Sequence, residues 1–181
     1  IDEQHRFGVL QRGALRKKGQ NPHVLVMTAT PIPRTLTLSV YGDLSVSVMD
    51  EMPPGRKNIT TRWVRPSRIE GLKDFLRDQV KRGRQVYWVC PLIEESENIQ
   101  AVSLSERYEK LKVSLGDMRV AFLHGQVAPD EKDLTMSDFE KGRIDLLVST
   151  TVIEVGVDVP NATVMVIEDA NRFGLSQLHQ L

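Results

Sequence analysis

The sequence predicts an α/β fold built on a doubly wound parallel sheet, and three observations predict it. Four short runs are apolar almost throughout: "QVYWVCPLI" (85–93), "RVAFLHG" (119–125), "IDLLVST" (144–150) and "ATVMVIEDA" (162–170). Runs of this length without strict alternation suit strands covered on both faces, as in parallel sheets. Segments of helical periodicity separate the runs, and polar residues gather where each run ends. Such alternation folds most simply with right-handed crossovers that set helices against the sheet.

Taken in order, the elements begin with "GVLQRGALRKKG" as a helix and "HVLVMTAT" (23–30) as a buried strand. "PIPRTLTLSVYG" reads as a helix started by Pro33, and "SVSVMDE" (45–51) as a further short strand. "MPPGRKN" follows, with two prolines, a glycine and no apolar face to bury, and marks a domain boundary or hinge. Residues 1–52 hold too few strands for a complete α/β domain, and with the hinge this part spans 1–57. They read as the C-terminal remnant of a first one plus its hinge, and 58–181 as a second, truncated one.

In that second part, Ser67 to Glu70 and Ser103 to Glu106 each match the S-x-x-E capping box and place helix starts there. Ile69, Leu72, Leu76 and Val80 fall on one helical face, as do Leu104, Tyr108, Leu111 and Leu115. Gly83 and Gly116 stand where those periodicities stop, as C-terminal caps should. Pro129, with the acids Asp130 and Glu131 behind it, begins a third helix that runs through Phe139 and closes at Gly142.

Bulk properties narrow the function classes. Lysine plus arginine and aspartate plus glutamate are equal at 24 each, so no global charge points to nucleic acid or membrane, and a DNA partner would need a local groove. The single cysteine, Cys90, lies in an apolar run, which excludes an internal disulfide framework and suggests a buried thiol in a reducing compartment. No apolar run approaches a membrane span and the N-terminus lacks a signal-peptide layout. The expectation is a soluble cytoplasmic protein. The abrupt first and last residues read as those of a piece cut from a longer chain.

In open parallel sheets, ligands collect outside the carboxyl ends of the strands. The residues standing there are Asp2, Glu3, Gln4 and His5; Thr28 to Thr30; His124 and Gly125; Ser149 to Thr151; and Glu168 and Asp169. Adjacent acids at a strand end suit nucleoside triphosphate hydrolysis, one holding Mg²⁺ and the other orienting water. The same Asp2 and Glu3 would also serve as the first turn of a helix. Thr28 and Thr30 would equally satisfy a turn, and Thr151 to Glu154 is itself a capping box. Trp63 and Trp88 could stack bases, although Trp88 sits inside a buried run. Arg56, Lys57, Arg62 and Arg65 form a basic cluster suited to phosphates or to a solvated hinge. One cysteine and scattered histidines give a zinc site little support.

"DEQH" (2–5), "TATPIPRTL" (28–36), "FLHG" (122–125), "STTVIEVGVDVPNA" (149–162) and "FGLSQLHQL" (173–181) follow the order and spacing of the later motifs of superfamily 2 helicases. Through "DEQHRFGV", "PPGRKNITT", "TTVIEVGVDVPNA" and "GLSQLHQL" the chain most resembles the RecG family of branched-DNA helicases. The resemblance implies two RecA-like lobes with ATP and Mg²⁺ between them, and duplex or branched DNA as partner. It implies Asp2 as the Mg²⁺ residue, Glu3 as catalytic base and His5 as a residue that helps couple the γ-phosphate to the rest of the lobe. Thr28 and Thr30 would couple nucleotide state to DNA; Gly125, Thr150 and Thr151 would meet the DNA backbone. Gly156, Asp158 and Gln180 would approach the nucleotide.

The related transcription-repair coupling translocase shares much of the pattern, but resembles it less at Gln4 and "PPGRK". A catalytically silent α/β module that binds DNA or protein is the alternative of another class. No G-x-x-x-x-G-K-[ST] occurs in the sequence and the arginines of the last motif are missing, so the piece alone is expected not to hydrolyse ATP.

Overall fold

The structure, a computed structural model, describes residues 23–28, 45–51, 58–91, 97–125, 127–150 and 159–181. Thr60–Phe173 form one compact unit, and the other described residues belong to a second.

The larger unit opens on the extended segment 60–65 and a 3-10 turn, Pro66–Arg68, followed by helix α1, Ile69–Lys81. Strand β1 is Val86–Cys90, helix α2 Glu97–Ser114, strand β2 Val120–Leu123 and helix α3 Pro129–Glu140. Strands β3, Leu146–Thr150, and β4, Val164–Ile167, complete the sheet. Its order is β2-β3-β1-β4 and every pairing is parallel. The chain steps outward from β1 to β2, returns to β3 and crosses to β4. All four strands arise within the four apolar runs of the sequence.

Alternation along the strands sorts the side chains into two cores. Val86, Trp88, Cys90, Leu146 and Val148 pack with Leu76 of α1 and Leu111 and Leu115 of the α2 end. The intervening positions Tyr87, Ala121, Leu123 and Leu147 pack on the other face with Met136 and Phe139 of α3. β1, β2 and β3 are covered on both faces, which is why their sequences are apolar throughout instead of alternating; the edge strand β4 packs Val164 and Val166 on the first face and leaves Met165 exposed on the other.

Helix ends follow the sequence in part. Gly83 and Gly142 adopt φ of 79° and 69°, the left-handed turn that glycine enters without a Cβ penalty. Pro129 opens α3 with Asp130 and Glu131 in its first turn. Three expected signals fail. Ser67 lies inside the 3-10 turn that Pro66 initiates, where Arg68 N–H donates to Arg65 O at 2.8 Å, so no capping box forms, although α1 does start where the sequence places it, at Ile69, with Arg68 and not Ser67 before it. Ser103 lies within α2, which begins six residues earlier at Glu97. The serine–glutamate spacing there is an interior i,i+3 pair. Gly116 is not left-handed; Met118 N–H reaches Leu115 O at 2.8 Å and carries the exit by itself.

The buried strand expected at 23–30 and the short strand at 45–51 are not found. Residues 23–28 and 45–50 have no strand assignment, Leu25 and Met27 are exposed, and so are Val46 and Val48. An apolar run becomes a strand only as part of a ladder, and the sheet formed by the described residues consists of β2, β3, β1 and β4. The expected helices at 8–19 and 31–42 lie outside the described residues, as does all of the expected hinge but Asn58.

At the opposite edge of the sheet from the strand tips, Arg119 and Asp145 clasp β2 to β3. Asp145 accepts from Arg119 N–H at 2.7 Å, from Nε at 3.0 Å and from Nη2 at 2.5 Å. Burial alone would raise the Asp145 carboxyl, but these donors outweigh it and hold the group below 3.8. Gln85, buried beside it, donates Nε2 to Phe139 O at 2.5 Å and Ile144 O at 2.7 Å, tying the end of α3 to the sheet.

Asp145→Ala is expected to cost about 1–3 kcal/mol at neutral pH, because it leaves the part-buried Arg119 backbone N–H without its acceptor and unlinks β2 from β3. The sign follows from the lowered carboxyl. The contribution is complete above pH 3.8 and disappears as pH falls through the folded-state value. Urea melts of both proteins from pH 7 to 2.5 should therefore converge at the acid end. A constant gap would show that the charge plays no part.

Candidate functional site

Because all four strands run parallel, their C-terminal tips share one edge. Register aligns them further. Cys90 is level with Thr150, Leu123 with Ser149, and Val89 with Ile167. One step on, the order Glu168, Cys90, Thr150, His124 therefore runs straight across β4, β1, β3 and β2. At about 4.8 Å between strands the row spans roughly 14 Å. All four positions have the parity of Trp88, Val148, Phe122 and Val166, and so fall on the face covered by α1 and α2.

Glu168 anchors one end. Its Oε2 accepts from Trp88 Nε1 at 3.0 Å and from Cys90 Sγ at 3.7 Å, and Arg107 of α2 forms an ion pair with its Oε1. Its own N–H donates to Val89 O at 2.9 Å, extending the ladder past the last strand residue. Beyond it, Asp169 turns the chain in the left-handed region at φ 46°, which aspartate tolerates better than most residues, and Phe173 is buried. Cys90 is a free, buried thiol pushed up to about 11, first by burial, with Arg107 pulling it down and Asp169 raising it. Such a group is inert as a nucleophile.

Thr150 is 5% exposed, and among the described residues its Oγ1 has no hydrogen-bond partner. Its hydroxyl therefore faces into the fold beside Cys90. At the other end, His124 stacks on Phe122, ring centroids 5.7 Å apart at 15°, and Phe122 meets Tyr108 at 4.7 Å. Gly125 is exposed, and a Cβ built on it would meet nothing within 4 Å. Open space there leaves the backbone accessible to an approaching group.

A cleft of about 400 Å³ opens beside the row, with Trp88, Leu111 and Glu168 among its lining and Lys73, Arg107 and Lys110 supplying cations. Trp88 is a core residue and Trp63 is 82% exposed with the Arg65 guanidinium 5.4 Å from its ring centre. Arg62 and Arg65 are exposed; Arg56 and Lys57 lie outside the described residues.

Of the other expected site residues, Thr28 is exposed, and Gln180 ends a short helix, α4, Leu175–Gln180, which Gln177 caps by accepting from Gly174 N–H at 2.9 Å. Asp2, Glu3, His5, Thr30, Thr151, Gly156 and Asp158 lie outside the described residues. Among the described residues no group of three or more His, Cys, Asp or Glu could hold a metal ion, and no helix is long and apolar enough to cross a membrane. Sequence reasoning placed Glu168 on this edge, but not its link to Arg107. The partners stand 61 residues apart, beyond any local pattern.

Comparison with known proteins gives concordant results. Residues 67–181 match the helicase conserved C-terminal domain. The chain is 57% identical over 184 residues to the ATP-dependent DNA helicase RecG of Streptococcus pneumoniae, covering 100% of this chain and 27% of that protein. It is 55% identical over 181 residues to RecG of Bacillus subtilis, covering 99% and 26%. The chain thus spans about a quarter of the length of the curated relatives it matches. Among solved structures, an S. cerevisiae Dbp5 variant bound to RNA and ADP BeF3 superposes with a TM-score of 0.57 at 19% identity, covering 93% of this chain and 43% of that one. That likeness concerns the fold, which is RecA-like.

Proposed function

From the premise that this chain belongs to the helicase conserved C-terminal domain family, we propose that it is part of an ATP-dependent DNA helicase that remodels branched DNA. In this reading residues 1–57 end the first RecA-like lobe and 58–181 form most of the second. Asp2 would hold Mg²⁺, Glu3 would activate the attacking water and His5 would help couple the γ-phosphate to the rest of the lobe, so that hydrolysis is positioning plus charge neutralisation. Thr28 and Thr30 couple nucleotide state to DNA. Gly125 and the segment opened by Thr150 and Thr151 grip the DNA backbone, with Gly156, Asp158 and Gln180 at the nucleotide. Stalled forks and Holliday junctions are the proposed substrates, and the cytoplasm the proposed location.

One observation carries the reading. Relatives named RecG helicases match this chain along essentially its whole length at more than half identity, and the parallel sheet supports the reading by gathering the tips of β1 to β4 on one edge. The test is ATP turnover by the full-length protein with no DNA, linear duplex and a four-way junction. DNA should raise turnover at least tenfold, with the junction the better activator. The 181-residue chain alone should show none. Turnover indifferent to DNA would favour a silent binding module. A linear duplex as good as the junction would leave the motor and remove the branch specificity.

A further inference from the structure

The geometry points to Glu168 as a positioning residue for the DNA grip, acting from beneath the strand tips through Trp88 and Cys90 on Thr150. The inference rests on the helicase reading above. One carboxylate receives Trp88 Nε1–H at 3.0 Å, Cys90 Sγ–H at 3.7 Å and the Arg107 guanidinium, so it joins β1, β4 and α2 at the sheet edge. The next side chain along the row is Thr150, level with Cys90, buried, and with a hydroxyl unpartnered among the described residues. The β1 tip that Glu168 holds is thus the one laid in register against the residue that opens the gripping segment.

Stability alone gives no reason for this arrangement. The Arg107–Glu168 pair is part-exposed, its side chains 37% and 25% accessible, so it adds little to stability, whereas the ion pair and the Trp88 hydrogen bond together fix one geometry among several that apolar contacts would allow. Glu168 touches neither DNA nor nucleotide in this account. Its role is to hold β1, β4 and α2 in one register beneath the tips.

The test uses the full-length protein and titrates DNA in the ATPase assay for wild type, Glu168→Gln and Arg107→Met. Glutamine keeps an acceptor for Trp88 but loses the charge; methionine keeps the length of Arg107 and loses its cation. Each variant should raise the DNA concentration for half-maximal stimulation about tenfold. Turnover at saturating DNA and turnover without DNA should both stay within twofold of wild type. A merely structural role would do the reverse, lowering saturated turnover with the folded fraction and leaving half-saturation unmoved, and that result overturns the inference. So does a half-saturation unchanged in both variants, or loss of the folded state in Glu168→Gln by circular dichroism. Should wild type itself ignore DNA, the helicase reading fails first and the inference falls with it.

Discussion

Phe139→Ala should lower the stability of the Thr60–Phe173 unit by about 3–5 kcal/mol, the range for removing a large aromatic ring from a packed interior. Phe139 is fully buried on α3, where it meets Tyr87 edge-on with centroids 4.9 Å apart and packs with Leu123, Met136 and Leu147. Truncation loses the transfer free energy of the ring and the edge-to-face contact, and leaves a cavity that β1 and β3 are too constrained to close. Its carbonyl also accepts from Gln85 Nε2, so slackening of α3 disturbs that buried amide. Urea denaturation should show a lower midpoint at unchanged slope. Leu134→Ala on the same helix, at a position 64% exposed, should move stability by less than about 0.5 kcal/mol. Equal effects at the two sites would mean that α3 does not pack on the face described.

The second large effect concerns chemistry. Glu3→Gln in the full-length protein should cut DNA-stimulated ATP turnover about 10²–10⁴-fold, the usual worth of a positioned general base. The substitution preserves size and an acceptor oxygen while removing the capacity to take a proton from water, so binding and catalysis separate. ATP affinity, read from a fluorescent analogue, should stay within about threefold. Thermal unfolding should be superimposable on wild type. Turnover within twofold of wild type would return Glu3 to its simpler reading as an acidic residue in a first helical turn, and would withdraw the role assigned to the Asp2–Glu3 pair.

How much was legible beforehand differs by element. All four strands fall inside their apolar runs, and for β1, β2 and β3 the reason is that burial on both faces of a parallel sheet imposes a composition that each segment carries by itself. Gly83, Gly142 and Pro129 were equally readable, since each meets a backbone requirement no other residue meets as cheaply. The start of α2 was not. A capping box is a four-residue pattern that forms only where the chain in fact enters a helix, and around Ser103 the helix was already under way from Glu97. The runs at 23–28 and 45–50 show the same limit, for apolar composition offers a strand but a neighbour must accept it.

The strand tips divide along the same line. That His124, Thr150 and Glu168 would share an edge followed from parallel strands, which the sequence determined by itself. That they form one row with Cys90, that the Thr150 hydroxyl turns into the α1–α2 face, and that Arg107 of α2 closes on Glu168 were decided by tertiary structure alone. The physical reason is range. Propensity, capping and periodicity act within a few residues, whereas register and face depend on hydrogen-bond ladders joining segments that lie tens of residues apart. A shift of one residue in any of those ladders would turn each of these side chains to the opposite face.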